Sequence, residues 1–399
     1  MPRKKIESLD MLTAAFLAGE GRRQTEIAEV LGLSQAAVSR LVVEARKEYL
    51  REELHFIDES IDAATMFEIH KRIHRKELGD RLAKLSEHYA NNRGPILRVF
   101  SVSGQNLEDR SARMVAFARQ AVPYIRGLIM RSATCGVTWG GMLWSLVQAF
   151  RSLPVHTPWR DPGKSIDVNP LCGEPLGNVP TSYSSSILAD ELGRLANGEK
   201  YVSRSIGMVP AFIPEGFTKA ELNGVKKLID LVKSYREIFG EHKEEKGKNG
   251  KRAEPLADKL DMILTSVGPA ERPLAFGRGT LFATGDLSFG QLASLIQGDV
   301  GGVCIPRPGL HKSQSAKLEK LNDRWTGLLR SHLEKCAKRA GDEPNPFKGK
   351  PGVVVVSIGK DRAQFIYEVA KLGLINHLVI DDHLEAELER IVAADYGVQ

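Results

Sequence analysis

The segment 24–43, with the sequence QTEIAEVLGLSQAAVSRLVV, constrains the fold more than any other part of the chain. Apolar residues recur there at the three- and four-residue spacings of two short helices, at Ile27, Leu31, Val38 and Leu41. Gly32 suits the left-handed backbone that ends a helix, and Ser34 can accept a backbone N–H as the N-cap of the next one. Ala28 is small enough for the two helices to approach closely. The pattern predicts a helix-turn-helix.

The outward positions of this segment carry side chains that suit a DNA surface. Near the start of a second helix, such side chains reach base edges or phosphates in the major groove. We therefore predict that double-stranded DNA is bound through Gln24, Thr25, Ser34, Gln35, Ala36, Ser39 and Arg40. Basic residues lie on either side of the segment, at Arg3, Lys4, Lys5, Arg22, Arg23, Arg46 and Lys47. The alternative is an ordinary helical hairpin within a protein core.

Composition limits the class of protein without naming it. The chain has 399 residues, enough for two or three domains, and its net charge of +6 permits a nucleic-acid partner without requiring one. The four cysteines are far apart and lack C-x-x-C spacing, which argues against a zinc site or a disulfide framework. No apolar run approaches the length of a membrane span, and charged residues occupy positions 3–5. We expect a cytoplasmic protein with no membrane partner.

Three regions follow one another along the sequence. Residues 1–54 are predicted to form a three-helix DNA-binding domain, whose first helix covers Ser8–Gly19. Residues 55–92 form a charged helical connector with an apolar seam at Ile69, Ile73, Leu78, Leu82 and Leu85. His70 and His74 have the four-residue spacing of a helical metal pair, but no third ligand accompanies them and we predict no bound metal. Residues 93–399 form the domain described next.

Strands and helices alternate from residue 93 onward. The runs 96–102, 261–267, 353–358 and 377–380 are predicted strands, and helices are expected over 142–150, 361–372 and 318–333. The run VVVVSI at 353–358 is almost entirely apolar, as in a strand buried on both faces. The charged run 241–254 is expected to be a flexible surface loop. This alternation predicts an α/β domain with a mostly parallel sheet and helices on both sides.

Loops that follow strands are the expected ligand sites of such a sheet. The loop CGVTWGG precedes a helix, so its backbone N–H groups can face an anion. Lys360 and Arg362 follow the most apolar strand and carry positive charge. We therefore predict that a small, anionic, carbohydrate-like effector is bound through Gly136, Thr138, Trp139, Gly140, Gly141, Lys360 and Arg362. A third glycine-rich loop covers 268–285 and includes Arg272 and Arg278.

Enzyme and cofactor motifs are missing from the sequence. Val354 stands where a Walker A loop needs its first glycine, and the run 277–280 lacks the third glycine of a dinucleotide fingerprint. Neither G-x-S-x-G nor H-E-x-x-H occurs. Asp381, Asp382 and His383 follow a predicted strand, where capping of the last helix is the expected use. We predict no cofactor and no catalytic residue.

The layout resembles the SorC family of bacterial sugar-responsive transcriptional regulators. The resemblance rests on QTEIAEVLGLSQAAVSRLVVEAR, CGVTWGGMLWSL, the stretch 169–195, QGDVGGV at 297–303 and KLGLINHLVIDD at 371–382. It implies an effector domain related to the sugar-phosphate isomerase and CoA-transferase-like fold, without enzymatic activity. It also implies a homo-oligomer, a dimer or tetramer, whose operator affinity changes when a phosphorylated sugar binds.

The sequence departs from the family pattern at two single residues, in one motif and in the length of two segments. Met142 replaces the hydroxyl residue that the family carries in its phosphate loop, and Arg362 takes the place of a lysine. The family's G-A-V-G-D becomes GDVGG at 298–302, so Gly302 stands where an acidic residue is expected. The segments 240–254 and 311–350 are longer than in the family.

We therefore expect a sequence-specific DNA-binding transcriptional regulator with a ligand-sensing α/β domain. Two other classes stay open at this point. The first is a DNA-binding assembly protein whose α/β domain no longer senses a ligand, as Met142 and Gly302 allow. The second is a sugar-phosphate isomerase-type enzyme with a DNA-binding head. The enzyme would need an essential carboxylate in a strand-end loop, for which Asp261 and Asp381 are the candidates.

Overall fold

The computed structural model describes residues 3–19, 22–48, 75–90, 98–102, 109–152, 165–175, 180–198, 201–207, 209–240, 254–271, 288–341 and 349–396. The predictions for His70, His74, the charged run at 241–253 and the loop at 272–287 lie outside these residues.

Three helices form the N-terminal head, as predicted: α1 (Arg3–Gly19), α2 (Gln24–Leu31) and α3 (Gln35–Glu48). The first begins five residues before the predicted Ser8. Ile27, Val38 and Ala45 are fully buried where the three helices meet, which accounts for their spacing in the sequence.

A parallel sheet forms the centre of the rest of the chain. Its strands are β1 (Arg98–Val102), β2 (Thr134–Val137), β3 (Asp167–Pro170), β4 (Met262–Thr265), β8 (Gly352–Ser357) and β9 (His377–Asp381). Among the described residues these six strands pair in the order β1-β9-β8-β4-β2-β3, and every pair is parallel. This confirms the predicted mostly parallel α/β fold.

Helices cover both faces of this sheet, because its central strands are apolar on both sides. Val353 and Val355 belong to one core cluster and Val354 and Val356 to another. The helices of this part of the chain are α4 (Lys76–Ala90), α5 (Arg110–Met130), α6 (Gly141–Arg151), α7 (Ser185–Asn197), α8 (Lys219–Asp230), α9 (Lys233–Phe239), α10 (Phe289–Leu295), α11 (Lys312–Asp323), α12 (Arg330–Gly341), α13 (Ala363–Lys371) and α14 (Asp382–Tyr396).

The predicted strand 261–267 is divided between two sheets. Its first part is β4, and after Ser266 the chain enters β5 (Val267–Pro269) of a second sheet. That sheet is antiparallel and contains β6 (Ile296–Val300) and β7 (Val303–Pro306) in the order β5-β6-β7. The single-strand prediction was wrong because an apolar run alone does not show where a chain changes partners.

The single helix predicted over 318–333 is also wrong, since the chain forms α11 and α12 with an extended segment between them. There, Thr326 N–H donates to the Ala211 carbonyl over 3.0 Å, and Ile213 N–H donates to the Arg324 carbonyl over 2.9 Å. These long-range backbone bonds replace helical ones, and the apolar spacing could not distinguish the two.

The described part of the predicted connector packs on the sheet domain. Leu78, Leu82 and Leu85 of α4 are buried in the same cluster as Phe365 and Val369 of α13. Residues 75–90 therefore contribute to the core of the α/β domain, and the boundary at residue 92 stays a prediction.

Candidate functional site

The turn between α2 and α3 has the geometry that its sequence predicts. Gly32 has φ +63° and ψ +32°, the left-handed conformation, and Leu33 N–H donates to the Ala28 carbonyl over 3.0 Å. Ser34 then caps α3, because its Oγ accepts the N–H of Ala37 over 3.3 Å. Leu33 packs against the core beside the turn. A helix-turn-helix is thus present.

The outer surface of this motif contains the predicted DNA-contact residues. Gln24, Thr25, Ser34, Gln35, Ala36 and Arg40 are exposed, and Ser39 is half-buried. Arg40 Nε lies 3.4 Å from the Ala36 carbonyl, which directs the guanidinium back along the first turn of α3. Arg23 pairs with Glu26 over 2.9 Å, and this hydrogen bond lowers the pKa of the Glu26 carboxyl. The outer face of the first two turns of α3 is therefore open to a partner.

The second candidate site is the carboxyl edge of the parallel sheet. Because all six strands run in one direction, the residues after β2, β4, β8 and β9 meet at the same edge. Strand β4 separates β2 from β8, so their loops begin about 10 Å apart. The structure thus brings the CGVTWGG loop and the Lys360–Arg362 turn to one edge.

Gly140 and Gly141 form the start of α6 at this edge. Gly140 has φ +122°, and its N–H donates to the Tyr183 carbonyl over 3.1 Å. The first N–H groups of a helix have no acceptor within the helix, and no side chain at the N-cap of α6 accepts them either. A Cβ atom at Gly140 would lie 3.6 Å from Ser266 Oγ, and one at Gly141 would lie 3.3 Å from the Tyr183 ring. Ser266 and Tyr183, which the sequence analysis missed, therefore flank this helix start.

Three other residues of the loop are buried against neighbouring segments and are not open to a ligand. Gly136 lies within β2, where a Cβ atom would meet Leu260 at 2.8 Å. The fully buried Thr138 donates its hydroxyl to Thr265 Oγ1 over 3.0 Å. The Trp139 ring is 2% exposed and packs edge-on against Trp325, with the centroids 5.4 Å apart. The predicted contact of Trp139 with an effector, which would require its ring to stack on a sugar, does not fit this buried position.

A β-hairpin closes this end of β2 and β4. Gly301 and Gly302 are its two turn residues and both have positive φ, +59° and +95°, as this tight turn requires. A Cβ atom at Gly301 would meet Thr138 Cγ2 at 2.6 Å, so only a glycine lets the hairpin tip sit this close. Gly301 N–H also donates to the Ser266 carbonyl over 3.0 Å.

Trp325 explains why a glycine stands at 302. A Cβ atom there would overlap the Trp325 ring. That ring is held by Phe212, with a centroid distance of 4.7 Å, and by its Nε1–H, which donates to the Leu328 carbonyl over 2.7 Å. Trp325 lies in the segment 311–350, which the sequence analysis identified as long. The long segment 311–350 and the glycine at 302 are therefore in direct contact through Trp325.

The two predicted cationic residues differ in their surroundings. Arg362 is half-buried, and its Nη1 donates to the Ile358 carbonyl over 2.6 Å while its Nε lies 3.4 Å from the Val267 carbonyl. Lys360 is exposed and lines a shallow depression together with Asp382, His383, Ala386, Glu387 and Arg390. Arg362 thus ties the turn to β5, and Lys360 presents its charge at the surface.

Asp381 caps this edge from the end of β9. Its Oδ1 accepts the N–H groups of Gly359, over 2.9 Å, and Leu384, over 3.1 Å, which agrees with the capping use predicted from sequence. Its Oδ2 is buried without a hydrogen-bond partner among the described residues. Burial raises the pKa of this carboxyl, and the two N–H donors offset part of the effect.

The two candidate carboxylates of an enzyme lie at opposite edges of the sheet. Asp261 directly precedes β4, where its Oδ2 accepts the Ala133 N–H over 2.8 Å and its Oδ1 pairs with Lys350 over 2.8 Å. Asp381 ends β9 at the other edge, about 13 Å or more away along the strands. Acid/base pairs of carboxylates lie closer together, within about 10 Å in glycosidases. The geometry gives no support to a pair of these two.

The described residues contain no cluster of three or more acidic, histidine or cysteine side chains arranged for a metal ion. None of their helices combines the length and the apolar character needed to cross a membrane. The four cysteines are free, and burial raises the pKa of the Cys172 thiol well above its usual value.

Comparison with known proteins gives similarity in structure but not in sequence. No family model and no curated protein matches the chain. The full-length sorbitol operon regulator SorC from Klebsiella pneumoniae is 16% identical, with a TM-score of 0.50 over 97% of this chain and 99% of that one. The domain named as sugar-binding in a transcriptional repressor from Vibrio fischeri is 13% identical, with a TM-score of 0.51 over 79% and 99% of the two chains.

A domain of a transcriptional regulator from Arthrobacter aurescens TC1 is similar as well. It is 18% identical, with a TM-score of 0.51 over 79% of this chain and 97% of that one. At such identities the similarity concerns the fold. The described part of the chain therefore has the fold of the SorC sorbitol operon regulator, which confirms the resemblance drawn from its sequence at the level of the fold.

Proposed function

We propose that this protein is a DNA-binding transcriptional regulator whose α/β domain binds a small, anionic, carbohydrate-like effector, and that it acts as a homo-oligomer without enzymatic activity. The strongest support is the helix-turn-helix, whose second helix exposes Gln35, Ala36 and Arg40 at its start. Its Ser39 and Arg40 are assigned to base edges or phosphates, and Gln24, Thr25 and Ser34 to the DNA backbone.

The effector is assigned to the carboxyl edge of the sheet. Gly141 and Met142 offer N–H groups at the start of α6, where the helix dipole favours an anion, while the Gly140 N–H is already bonded to the Tyr183 carbonyl. Ser266 Oγ and the Tyr183 ring flank this position and suit the hydroxyls and the ring face of a sugar. Because the first-turn N–H groups come from the backbone, the missing hydroxyl at Met142 does not remove them. Lys360 adds positive charge at the same edge.

The contact between the head and the α/β domain offers a route for coupling. One continuous apolar cluster contains Leu17, Ile27 and Val42 of the head together with Val102 and Phe117 of the α/β domain. A small cleft beside it is lined by Leu17, Arg22, Glu26, Ile27, Val30, Arg75 and Ser101. Ser101 lies near the carboxyl end of β1, at the effector edge. A ligand that favours one arrangement of this contact would alter DNA affinity.

The first experiment measures DNA binding by fluorescence anisotropy across a salt series, with the DNA around the protein's own gene. We expect tight binding that exceeds binding to scrambled DNA and that is lost in the double variant Ser39→Ala/Arg40→Ala. Lys320→Ala removes an exposed positive charge far from the head in sequence and serves as the matched control. Equal, weak binding to all sequences that disappears in modest salt would contradict the regulator proposal.

A thermal-shift screen separates a sensing domain from one that only assembles. A ligand that binds the folded state at 100 times its dissociation constant stabilises it by about 2.7 kcal/mol. We expect such a shift with a sugar phosphate and its loss in Gly141→Val, which places a branched side chain at the start of α6. Absence of a shift with every sugar, sugar phosphate and nucleotide would favour the assembly protein.

A further inference from the structure

Arg75, which directly precedes α4, is fixed at three points of the α/β domain. Its N–H donates to the Val99 carbonyl of β1 over 2.9 Å, and its own carbonyl accepts the Gly79 N–H over 3.1 Å. Its Nε lies 2.6 Å from Oε1 of Glu385, in the first turn of α14. Glu385 is 7% exposed, so loss of the arginine would leave a buried carboxylate without its counter-charge.

Arg75 also lines the small cleft between the α/β domain and the head, together with Glu26 of α2. A hydrogen bond from Arg23 lowers the pKa of the Glu26 carboxyl, which therefore stays charged and opposite in sign to Arg75. The cleft has a volume of about 20 Å³, enough for one bridging water molecule. The arginine is thus placed to attract the first helix of the helix-turn-helix.

Ser101 of β1 lies in the same cleft. Its side chain is 3% exposed, and its Oγ has no hydrogen-bond partner among the described residues. Leu17, Ile27 and Val30 of the head line the cleft beside it. The head therefore helps to cover Ser101, and the accessibility of residue 101 reports whether the head is docked on the α/β domain.

Asp381 ties the start of α14 to the effector edge. Its Oδ1 accepts both the Gly359 N–H, over 2.9 Å, and the Leu384 N–H, over 3.1 Å. Gly359 directly precedes Lys360 in the edge turn, and Leu384 directly precedes Glu385. A displacement of this turn would therefore move the start of α14, and with it the carboxylate that holds the arginine.

We propose that Arg75 transmits effector binding to the helix-turn-helix, because it joins Glu385 of α14 to Glu26 of α2. Glu385 positions the guanidinium, and the guanidinium keeps the head docked. A ligand that displaces the edge turn breaks this contact and releases the head. The proposal deepens the ligand-sensing regulator of the proposed function and rests on it. Docking itself is tested with neither DNA nor effector present, so its failure would leave the regulator proposal standing.

Thiol labelling of Ser101→Cys in the full-length chain measures docking. The new cysteine should react slowly with a maleimide, and about tenfold faster after Arg75→Gln or Glu385→Gln, because a contact between charged groups is lost. Arg81→Gln and Glu77→Gln are the matched controls, since each breaks a more exposed ion pair on α4. Both controls should leave the rate unchanged.

The native cysteines distinguish release of the head from loss of overall stability. Cys135, Cys172 and Cys336 are buried, and mass spectrometry follows each site separately. We expect the acceleration at residue 101 alone. An equal acceleration at the native cysteines, or none at residue 101, would overturn the proposal. Additive effects in Arg75→Gln/Glu385→Gln would also overturn it, because the two changes break one contact.

Hydrogen exchange tests the link to the effector edge. Coupling between two sites is reciprocal, so Arg75→Gln should speed exchange of the Gly359 and Leu384 N–H groups, and Arg81→Gln should not. Arg75→Lys keeps the charge but not the planar fork, and its exchange rates should lie between those of Arg75→Gln and the wild type. Equal exchange at Gly359 in Arg75→Gln and in the wild type would overturn the transmission, even where residue 101 becomes accessible.

Discussion

Glycines with positive φ occur both in the helix-turn-helix and in the hairpin at the sheet edge, but the two regions require them for different reasons. At Gly32 nothing lies within 4 Å of a Cβ atom, so only the left-handed backbone matters. At Gly302 the backbone is also left-handed, and the Trp325 ring fills the space where a side chain would go. The glycine of the head is thus required by local backbone conformation alone. The glycine of the sheet edge is also required by contact with a segment that is distant in sequence.

The largest expected effect is the loss of stability when Gly302, and for comparison Gly32, is replaced by alanine. Gly302→Ala should lower the free energy of unfolding by about 2–5 kcal/mol, since it combines backbone strain with overpacking against Trp325. Gly32→Ala should cost only about 1–2 kcal/mol, because it adds strain alone. Urea unfolding of the two variants measures both values. In a Trp325→Ala background the cost of Gly302→Ala should fall to that of Gly32→Ala, and equal costs in both backgrounds would remove the ring as the cause.

Arg40→Ala tests the proposed DNA binding of the head. We expect a loss of about 1–3 kcal/mol in binding to the cognate DNA and relaxed specificity at one base pair, because the contact would be lost without change to the core. Anisotropy with single-base variants of the site measures this. A variant that binds the site unchanged would remove Arg40 from the DNA contacts.

Ser34→Ala tests the local construction of the head. Loss of the N-cap of α3 should lower its stability by about 1 kcal/mol, since Ala37 N–H loses its acceptor. Ser39→Ala is the matched control, because Ser39 lies inside the helix and alanine is the best helix former there. Thermal unfolding of both variants gives the comparison, and equal melting temperatures would contradict the capping role.

Between pH 7 and 5.5, a change of pH should act on the α/β domain and leave the head unaffected. Burial lowers the pKa of His332, whose Nδ1 accepts the Leu329 N–H over 3.1 Å, and residues 1–54 contain no histidine. The unfolded chain therefore binds a proton near pH 6.5 that the folded chain resists, so stability falls as the pH falls below that value. We expect this slope, the smallest of the four effects, to flatten in His332→Gln. An unchanged slope in urea unfolding between pH 7 and 5.5 would contradict it.

The sequence by itself determined the head and the class of fold. Gly32, Ser34 and the apolar spacing act within a few residues of one another, so their consequences can be deduced from helix chemistry. The run 353–358 likewise indicates a strand buried on both faces, because burial on both sides leaves no room for polar alternation.

Only the tertiary structure decided which edge residues are open to the proposed effector. Thr138 and Trp139 have suitable chemistry for a binding loop, yet the hairpin tip and Trp325 cover them. Ser266 and Tyr183 carry no motif, yet they flank the start of α6. These positions depend on contacts between segments more than 100 residues apart in several cases, and no local spacing encodes such contacts. Side-chain type therefore identified the candidate loop, and packing selected the residues within it.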